Sequence, residues 1–178
     1  MRHLCLALAI AVVAASSSGC SGGSASAQRV ATVDDLVTGI DILGLTSFDG
    51  LTLFAAIDPP NSASSTMRPW VSDGTPEGTQ ALNATIERLR GDSDGEFFFV
   101  VENFAYFIAV DDTNGSCLWR TDGTPSGTTL EATLVPLPLE LWVNSVVLTG
   151  NQLFVSGYSW NPATGTDYTY HLFSVTLD

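Results

Sequence analysis

There is no lysine anywhere in these 178 residues, and six arginines are the only strong bases. Against them stand 19 Asp and Glu, so the formal net charge is −13 although only 14% of residues are charged. A chain so poor in positive charge has no electrostatic footprint for nucleic acid or for an anionic lipid surface. It could attract cations or basic partners; the plainer reading is a soluble acidic surface. Histidine is scarce too, with only His3 and His171 present. No His/Cys cluster has zinc spacing, and neither a P-loop nor a G-x-S-x-G elbow occurs. Cysteine stops at three: Cys5, Cys20 and Cys117. With Cys5 in a leader and Cys20 lipid-modified, Cys117 is alone, and an internal disulfide is excluded from the mature fold. Beside Leu118 and Trp119 it reads as a small buried hydrophobe.

Long apolar runs are also missing, except at the start. Leu4 to Ala15 is apolar for 12 residues, preceded by the positive Arg2. That is too short to span a bilayer and fits a leader of residues 1–19. Gly19-Cys20 after the run resembles a bacterial lipoprotein signal, with cleavage before Cys20 and lipid on its thiol. Ser17 departs from the aliphatic residue usual three positions before the cysteine. A competing cleavage site, Ala25-Ser26-Ala27, would release a soluble protein beginning at Gln28. Both routes take the protein out of the cytoplasm. The expected location is the cell envelope, at the outer membrane or cell surface, with a periplasmic or secreted form as the alternative. Residues 20–28 are a Gly/Ser tether, and residues 29–178 form a single domain.

What the chain does have is one stretch written twice. Pro69-Trp70-Val71-Ser72-Asp73-Gly74-Thr75-Pro76-Glu77-Gly78-Thr79 returns as Leu118-Trp119-Arg120-Thr121-Asp122-Gly123-Thr124-Pro125-Ser126-Gly127-Thr128, and the tryptophans stand 49 residues apart. A period of that size marks repeat architectures. Trp among apolar or β-branched neighbours favours a half-buried strand. Asp-Gly then makes a turn, Gly taking positive φ and Asp bonding its own backbone. Pro fixes the next φ, and a second Gly closes the loop. Asp73, Gly74, Thr75, Gly78 and their counterparts Asp122, Gly123, Thr124, Gly127 are therefore read as turn-holding residues. The alternative is a calcium ion on Asp73 and Asp122, but calcium needs six to eight oxygens and each loop supplies one carboxylate.

These residues resemble the secreted bacterial repeat proteins marked by Glu-Leu-Trp-x-x-Asp-Gly-Thr-x-x-Gly-Thr, the ELWxxDGT repeat family. The match departs at Arg68 and Cys117, which replace the leading Glu, and at Pro69, which replaces Leu. The resemblance implies a β-propeller-like domain and export; the family carries no established enzymatic activity.

A wider unit surrounds each copy. Strands ending in Phe54, Phe107 and Phe154 each open with a turn dipeptide, and these phenylalanines lie 53 and 47 residues apart. Each leads through a polar loop to the tryptophan strand; in the third unit His171 to Thr176 stands where Cys117 to Asp122 stood. Two more strands follow each Gly-Thr: about Gln80 to Leu89 and Glu96 to Val101, then Thr129 to Val135 and Leu141 to Leu148. The stretch 84–89 also has helical spacing. Arg29 to Val33 resembles the third strand of a unit and Gly39 to Ser47 the fourth. The expected fold is all-β, antiparallel and propeller-like, with about three four-stranded blade units, 12 strands, and termini sharing one blade. Three is below the four to eight blades of closed propellers. A compact three-unit body, a homodimer and a shortened repeat protein all remain open.

Chemistry is thin on the ground. Cys117 and His171 make a conceivable nucleophile pair without a family motif. Asp111-Asp112 with Asn114, and Asp92, Asp94 and Glu96, look like solvated turns more than ion sites. Most aromatics, Trp142, Tyr168 and Tyr170 among them, follow strand patterning and are expected in the core. Tyr158 and Trp160 precede a loop and could offer a sugar-stacking face. The expected function is a non-enzymatic binding or cell-envelope structural module, contacting a protein or glycan and reaching the membrane only through a lipid anchor. The alternative is a secreted hydrolase acting on polysaccharide through paired carboxylates. No cofactor is required in either case, apart from the weak calcium option.

Overall fold

The computed structural model describes residues 42–57, 67–83, 86, 88–92 and 94–177. Leader, tether, Cys20 and the expected strand Arg29 to Val33 lie outside the described residues. Twelve strands run in order: β1 Ile42–Phe48, β2 Leu51–Ile57, β3 Met67–Ser72, β4 Gln80–Ala81, β5 Arg88–Arg90, β6 Phe99–Val101, β7 Phe104–Asp111, β8 Gly115–Thr121, β9 Thr129–Val135, β10 Glu140–Thr149, β11 Gln152–Asn161 and β12 Thr166–Thr176. All pairings are antiparallel.

They form three sheets. Sheet 1 is β1-β2-β3-β4, sheet 2 is β5-β7-β8-β9 with β6 also on β7, and sheet 3 is β10-β11-β12. Among the described residues the pairing closes neither a barrel nor a ring. The grouping is offset by one strand from the sequence repeat. Gly39 to Ser47 was expected in a unit shared with the C-terminus; instead β1 pairs with β2. The cause is local. Asp49 and Gly50 both take positive φ, 45° and 77°, and a two-residue turn with two positive φ values joins its flanking strands as a hairpin. Among the described residues the third sheet holds three strands, and β12 pairs with β11.

A second departure lies between Gln80 and Leu89, expected as one strand. Gln80 and Ala81 pair with β3, whereas Arg88 to Arg90 pair with β7 in the next sheet. Between them Leu82 and Ile86 are fully buried, so the chain dives between the sheets and cannot continue a ladder. The described residues of this stretch contain no helix. Similarly, Glu96 to Val101 is strand only from Phe99, while Phe97 and Phe98 are buried ahead of it.

Two cores hold the sheets together. The first joins Leu53, Ala55 and Val71 of sheet 1 to Phe107, Cys117 and Trp119 of sheet 2. The second joins Tyr106, Ile108 and Leu118, on the other face of sheet 2, to Leu153 and Val155 of sheet 3, with Phe173 packed against it. Sheet 2 is thus covered on both sides. That is why β7 reads as a continuous apolar run, Phe-Ala-Tyr-Phe-Ile-Ala-Val, with no polar alternation. Successive residues point to opposite faces, so a simple stacking rule emerges. The rear face of each sheet, at Leu53/Val71 or Tyr106/Leu118, packs on the front face of the next.

Candidate functional site

The twin Asp-Gly-Thr turns are built alike. In the first, Asp73 Oδ1 accepts from Thr75 N at 2.8 Å and Thr75 Oγ1 at 2.7 Å. Thr75 Oγ1 accepts from Gly78 N at 3.0 Å, and Thr79 Oγ1 donates to the Thr75 carbonyl at 2.6 Å. The second repeats this with Asp122, Thr124, Gly127 and Thr128 at 2.9, 2.7, 3.0 and 2.7 Å. Gly74 and Gly123 take φ values of 92° and 89°, a region costly to L side chains. A Cβ on Gly78 or Gly127 would collide with the carboxylate of Asp73 or Asp122. Asp73 is therefore engaged by its own loop, and the Thr75 hydroxyl and amide hold its carboxyl below the usual carboxylate range. Among the described residues no group of three or more His, Cys, Asp and Glu could hold a metal ion.

The other acidic turns are likewise self-contained. Asp111 Oδ1 accepts from the amides of Thr113 and Asn114 at 2.7 and 2.6 Å, and Oδ2 from Asn114 Nδ2 at 2.8 Å. Burial alone would raise its pKa; the bonds from Asn114 and Thr113 outweigh that and lower it. Asp92 Oδ1 accepts from the amides of Asp94 and Glu96 at 2.9 and 3.0 Å.

Cys117 and His171 do not meet. Cys117 is buried in the first core, and burial pushes its thiol pKa up, which makes it a poor nucleophile. His171 Nε2 lies 2.8 Å from Ser159 Oγ and its ring stacks on Phe173. That Ser–His contact is no hydrolase dyad, because Ser159 is fully buried and out of a substrate's reach.

An ion cluster that sequence reasoning missed joins sheets 2 and 3. Arg88 Nη1 and Arg90 Nη2 bind the two oxygens of the buried Glu140 at 2.8 and 2.6 Å. Burial lowers the Arg90 pKa, and Glu140 partly restores it. The sequence did carry a signal: Arg88-Leu89-Arg90 puts two of the six arginines on one side of a strand. Nearby, Ser116 Oγ accepts from Leu141 N at 2.9 Å, a further tie between β8 and β10.

Among the described residues, the rear face of sheet 3 gathers exposed aromatic side chains. Trp142, Tyr158 and Tyr170 stand directly opposite one another across β10, β11 and β12. Trp142 and Tyr158 are stacked at 6.3 Å, and Tyr168 and Tyr170 tilt against Tyr158 at 5.7 and 6.0 Å. Of these, Trp142 is 52% exposed, Tyr168 60% and Tyr170 79%; Leu172 beside them is 74% exposed. The expectation of core for Trp142, Tyr168 and Tyr170 fails here. Tyr158 and Trp160 do share this face, both half-buried.

A register change explains how apolar residues came to face outward. In sheets 1 and 2 the repeat phenylalanine opposes the repeat tryptophan, Phe54 to Trp70 and Phe107 to Trp119. In sheet 3 Phe173 opposes Val155, and Phe154 opposes Ser174. The assumed equivalence of Phe154 with Phe107 is thus off by one residue, and one residue exchanges the faces of a strand.

Comparison with protein-family models, with curated proteins and with solved structures finds no match.

Proposed function

We propose that this protein is an exported, lipid-anchored, non-enzymatic β-repeat module of the cell envelope that works through surface contact. In this reading it is a member of the ELWxxDGT repeat family, and its three sheets are blade-like units of a propeller-type domain. Cys20 carries the anchor. The aromatic rear face of sheet 3 is the contact surface. The observation that carries the reading is the placement of side chains. The carboxylates of Asp73, Asp92, Asp111 and Asp122 are engaged in holding their own turns, whereas four rigid aromatic rings stand together on a strand face. Large exposed apolar patches on soluble domains mark interaction sites, and aromatic anchors dominate such contacts.

Two measurements in producing cells test it. The wild-type chain sediments with membranes and incorporates labelled fatty acid, and Cys20→Ala abolishes both. A mature N-terminus at Gln28 would instead remove the anchor. A photoreactive residue replacing Tyr170 forms a cross-linked adduct, while one replacing the exposed Thr113 does not. Absence of any adduct at position 170 refutes the contact surface.

A further inference from the structure

We infer that the rear face of sheet 3 docks against the same face of a second copy of this chain, forming an isologous dimer. The inference rests on the contact surface assigned above and names its occupant.

The stacking rule is the first argument. Taking Val155 and Phe173 as the counterparts of Phe107 and Trp119, Phe154 and Leu172 correspond to Tyr106 and Leu118. Tyr106 and Leu118 are fully buried because a sheet covers them. Sheet 3 therefore presents the kind of face that elsewhere in this molecule packs on another sheet. Its exposed aliphatic members, Leu172 and Val147, suit such packing. A three-stranded face of about ten residues measures roughly 30 by 14 Å. That is on the order of 400 Å² per copy in projection, shared between the apolar side chains and Ser145, Ser156 and Ser174, which puts the contact at the small end of specific interfaces.

Charge is the second argument. Two copies with a formal charge of −13 repel each other except through a neutral surface. From Glu140 to Leu177 the chain holds no arginine or lysine, and its only acids are Glu140 and Asp167. Glu140 is already paired with Arg88 and Arg90.

The symmetry follows from the other end of the stack. A head-to-tail contact would place sheet 3 of one copy on the front face of sheet 1 of the next. On that front face Phe54 is 5% exposed and Ala56 1% exposed, which leaves the half-buried Trp70 and no cluster of exposed rings like that of sheet 3. The self-paired arrangement sets the exposed aromatic face against its own copy and closes as a twofold dimer.

The test is sedimentation equilibrium of the full chain in density-matched detergent. Wild type is expected as a dimer. Tyr170→Glu combined with Leu172→Glu sets like charges against each other across the twofold and should raise the dissociation constant at least about 100-fold, with an unchanged circular-dichroism spectrum. Leu43→Glu combined with Leu45→Glu, on the exposed part of β1, should leave the dimer intact. A wild-type monomer overturns the inference. So does a dimer that withstands the sheet 3 charges, or one broken only by the β1 charges. A monomer whose tryptophan fluorescence responds to added polysaccharide also overturns it, and assigns the face to glycan. Dimerisation without retention in the envelope sinks the anchored-module reading and spares the dimer; retention of a monomer does the reverse.

Discussion

Thr128 and Thr79 make the same hydrogen bonds in two settings, so replacing each by valine separates the bond from its burial. Thr128 Oγ1 donates to the Thr124 carbonyl at 2.7 Å and lies 2.8 Å from Thr121 Oγ1. Thr79 Oγ1 donates to the Thr75 carbonyl at 2.6 Å and lies 2.7 Å from Ser72 Oγ. Because each threonine proton is already committed to a carbonyl, Thr121 and Ser72 must donate in turn. Thr128 and Thr121 are both buried, whereas Thr79 is half-buried. Valine keeps the volume and the β-branch and deletes the hydroxyl. A hydrogen bond contributes about 1 kcal/mol net, but a buried group stranded without a partner costs roughly 1–3 kcal/mol. In Thr128→Val the Thr121 hydroxyl still accepts from Gly123 N at 3.1 Å, but its proton is stranded where water does not reach, for a total of about 2–4 kcal/mol. In Thr79→Val the hydroxyl left behind, Ser72, is 4% exposed, but it adjoins the half-buried position 79, where water can reach it, and the loss is about 1 kcal/mol. The assay is urea unfolding followed by tryptophan fluorescence. With a slope of roughly 2 kcal/mol/M, the two midpoints should differ by about 0.5–1.5 M. Equal midpoint shifts would refute the claim that burial, not the bond itself, sets the cost of these turns.

Trp119→Ala should cost roughly 3–5 kcal/mol, because the ring is buried in the first core; Trp70→Ala, at a half-buried ring, should cost clearly less in the same titration, and the reverse order would contradict the assignment of the two faces. Glu140→Gln takes the counter-charge from the partly buried Arg90 and leaves Arg88 only the exposed Asp112, and should destabilise by about 3 kcal/mol, whereas Asp112→Asn, in that exposed pair with Arg88 at 3.9 Å, should change the midpoint little. The Asp111 carboxyl has a lowered folded pKa. Its stabilising contribution is therefore fully present above the unfolded value near ~4 and is lost as pH falls through the folded value. Asp111→Asn should flatten the acid limb of the stability curve below about pH 4, and an unchanged limb would sink the assignment. Addition of a chelator should leave the melting temperature unchanged, since the Asp73 and Asp122 oxygens are used within their own loops; a drop would restore the calcium reading.

The turns were legible in the sequence because their chemistry is printed there. Asp, Gly, Thr and the second Gly have local reasons to be where they are, and the bonds they make span at most seven residues. The all-β, antiparallel class was legible for the same reason. Pairing between strands was not, because it depends on which end of a segment enters which sheet. Gln80 to Leu89 looks like one strand, yet its two ends belong to different sheets once Leu82 and Ile86 are drawn into the core between them. The candidate site was half legible. Tyr158 and Trp160 stood out by their position before a loop. Tyr168, Tyr170 and Leu172 were hidden by their own pattern, since β12 carries apolar residues at both parities, Phe173 and Val175 on one face and these three on the other. Alternation says that both faces want cover; it does not say which one receives it.

The offset between repeat and sheet has a mechanical consequence. A sequence unit ends after its fourth strand, where a turn dipeptide is written, but that strand pairs forward with the first strand of the next unit. The chain therefore crosses from sheet to sheet within the expected third strand, at Ala81 to Arg88, and between the third and fourth strands, at Val135 to Glu140. The first crossing is buried at Leu82 and Ile86; the second is exposed at residues 136–138 and anchored by the buried Val135 and Glu140 at its ends. The first threads Leu82 and Ile86 through the core between sheets 1 and 2. The second delivers Glu140 to the arginines of β5 and Leu141 N to Ser116 of β8. Neighbouring sheets are thus joined by covalent chain, apolar packing and ion pairs at the same places. Units linked in this way cannot separate without exposing a core, so the three sheets should lose structure together. Among the described residues sheet 3 has one face in a core and Trp142, Tyr168, Tyr170 and Leu172 exposed on the other, so it is the part of the stack that gains most from an additional partner.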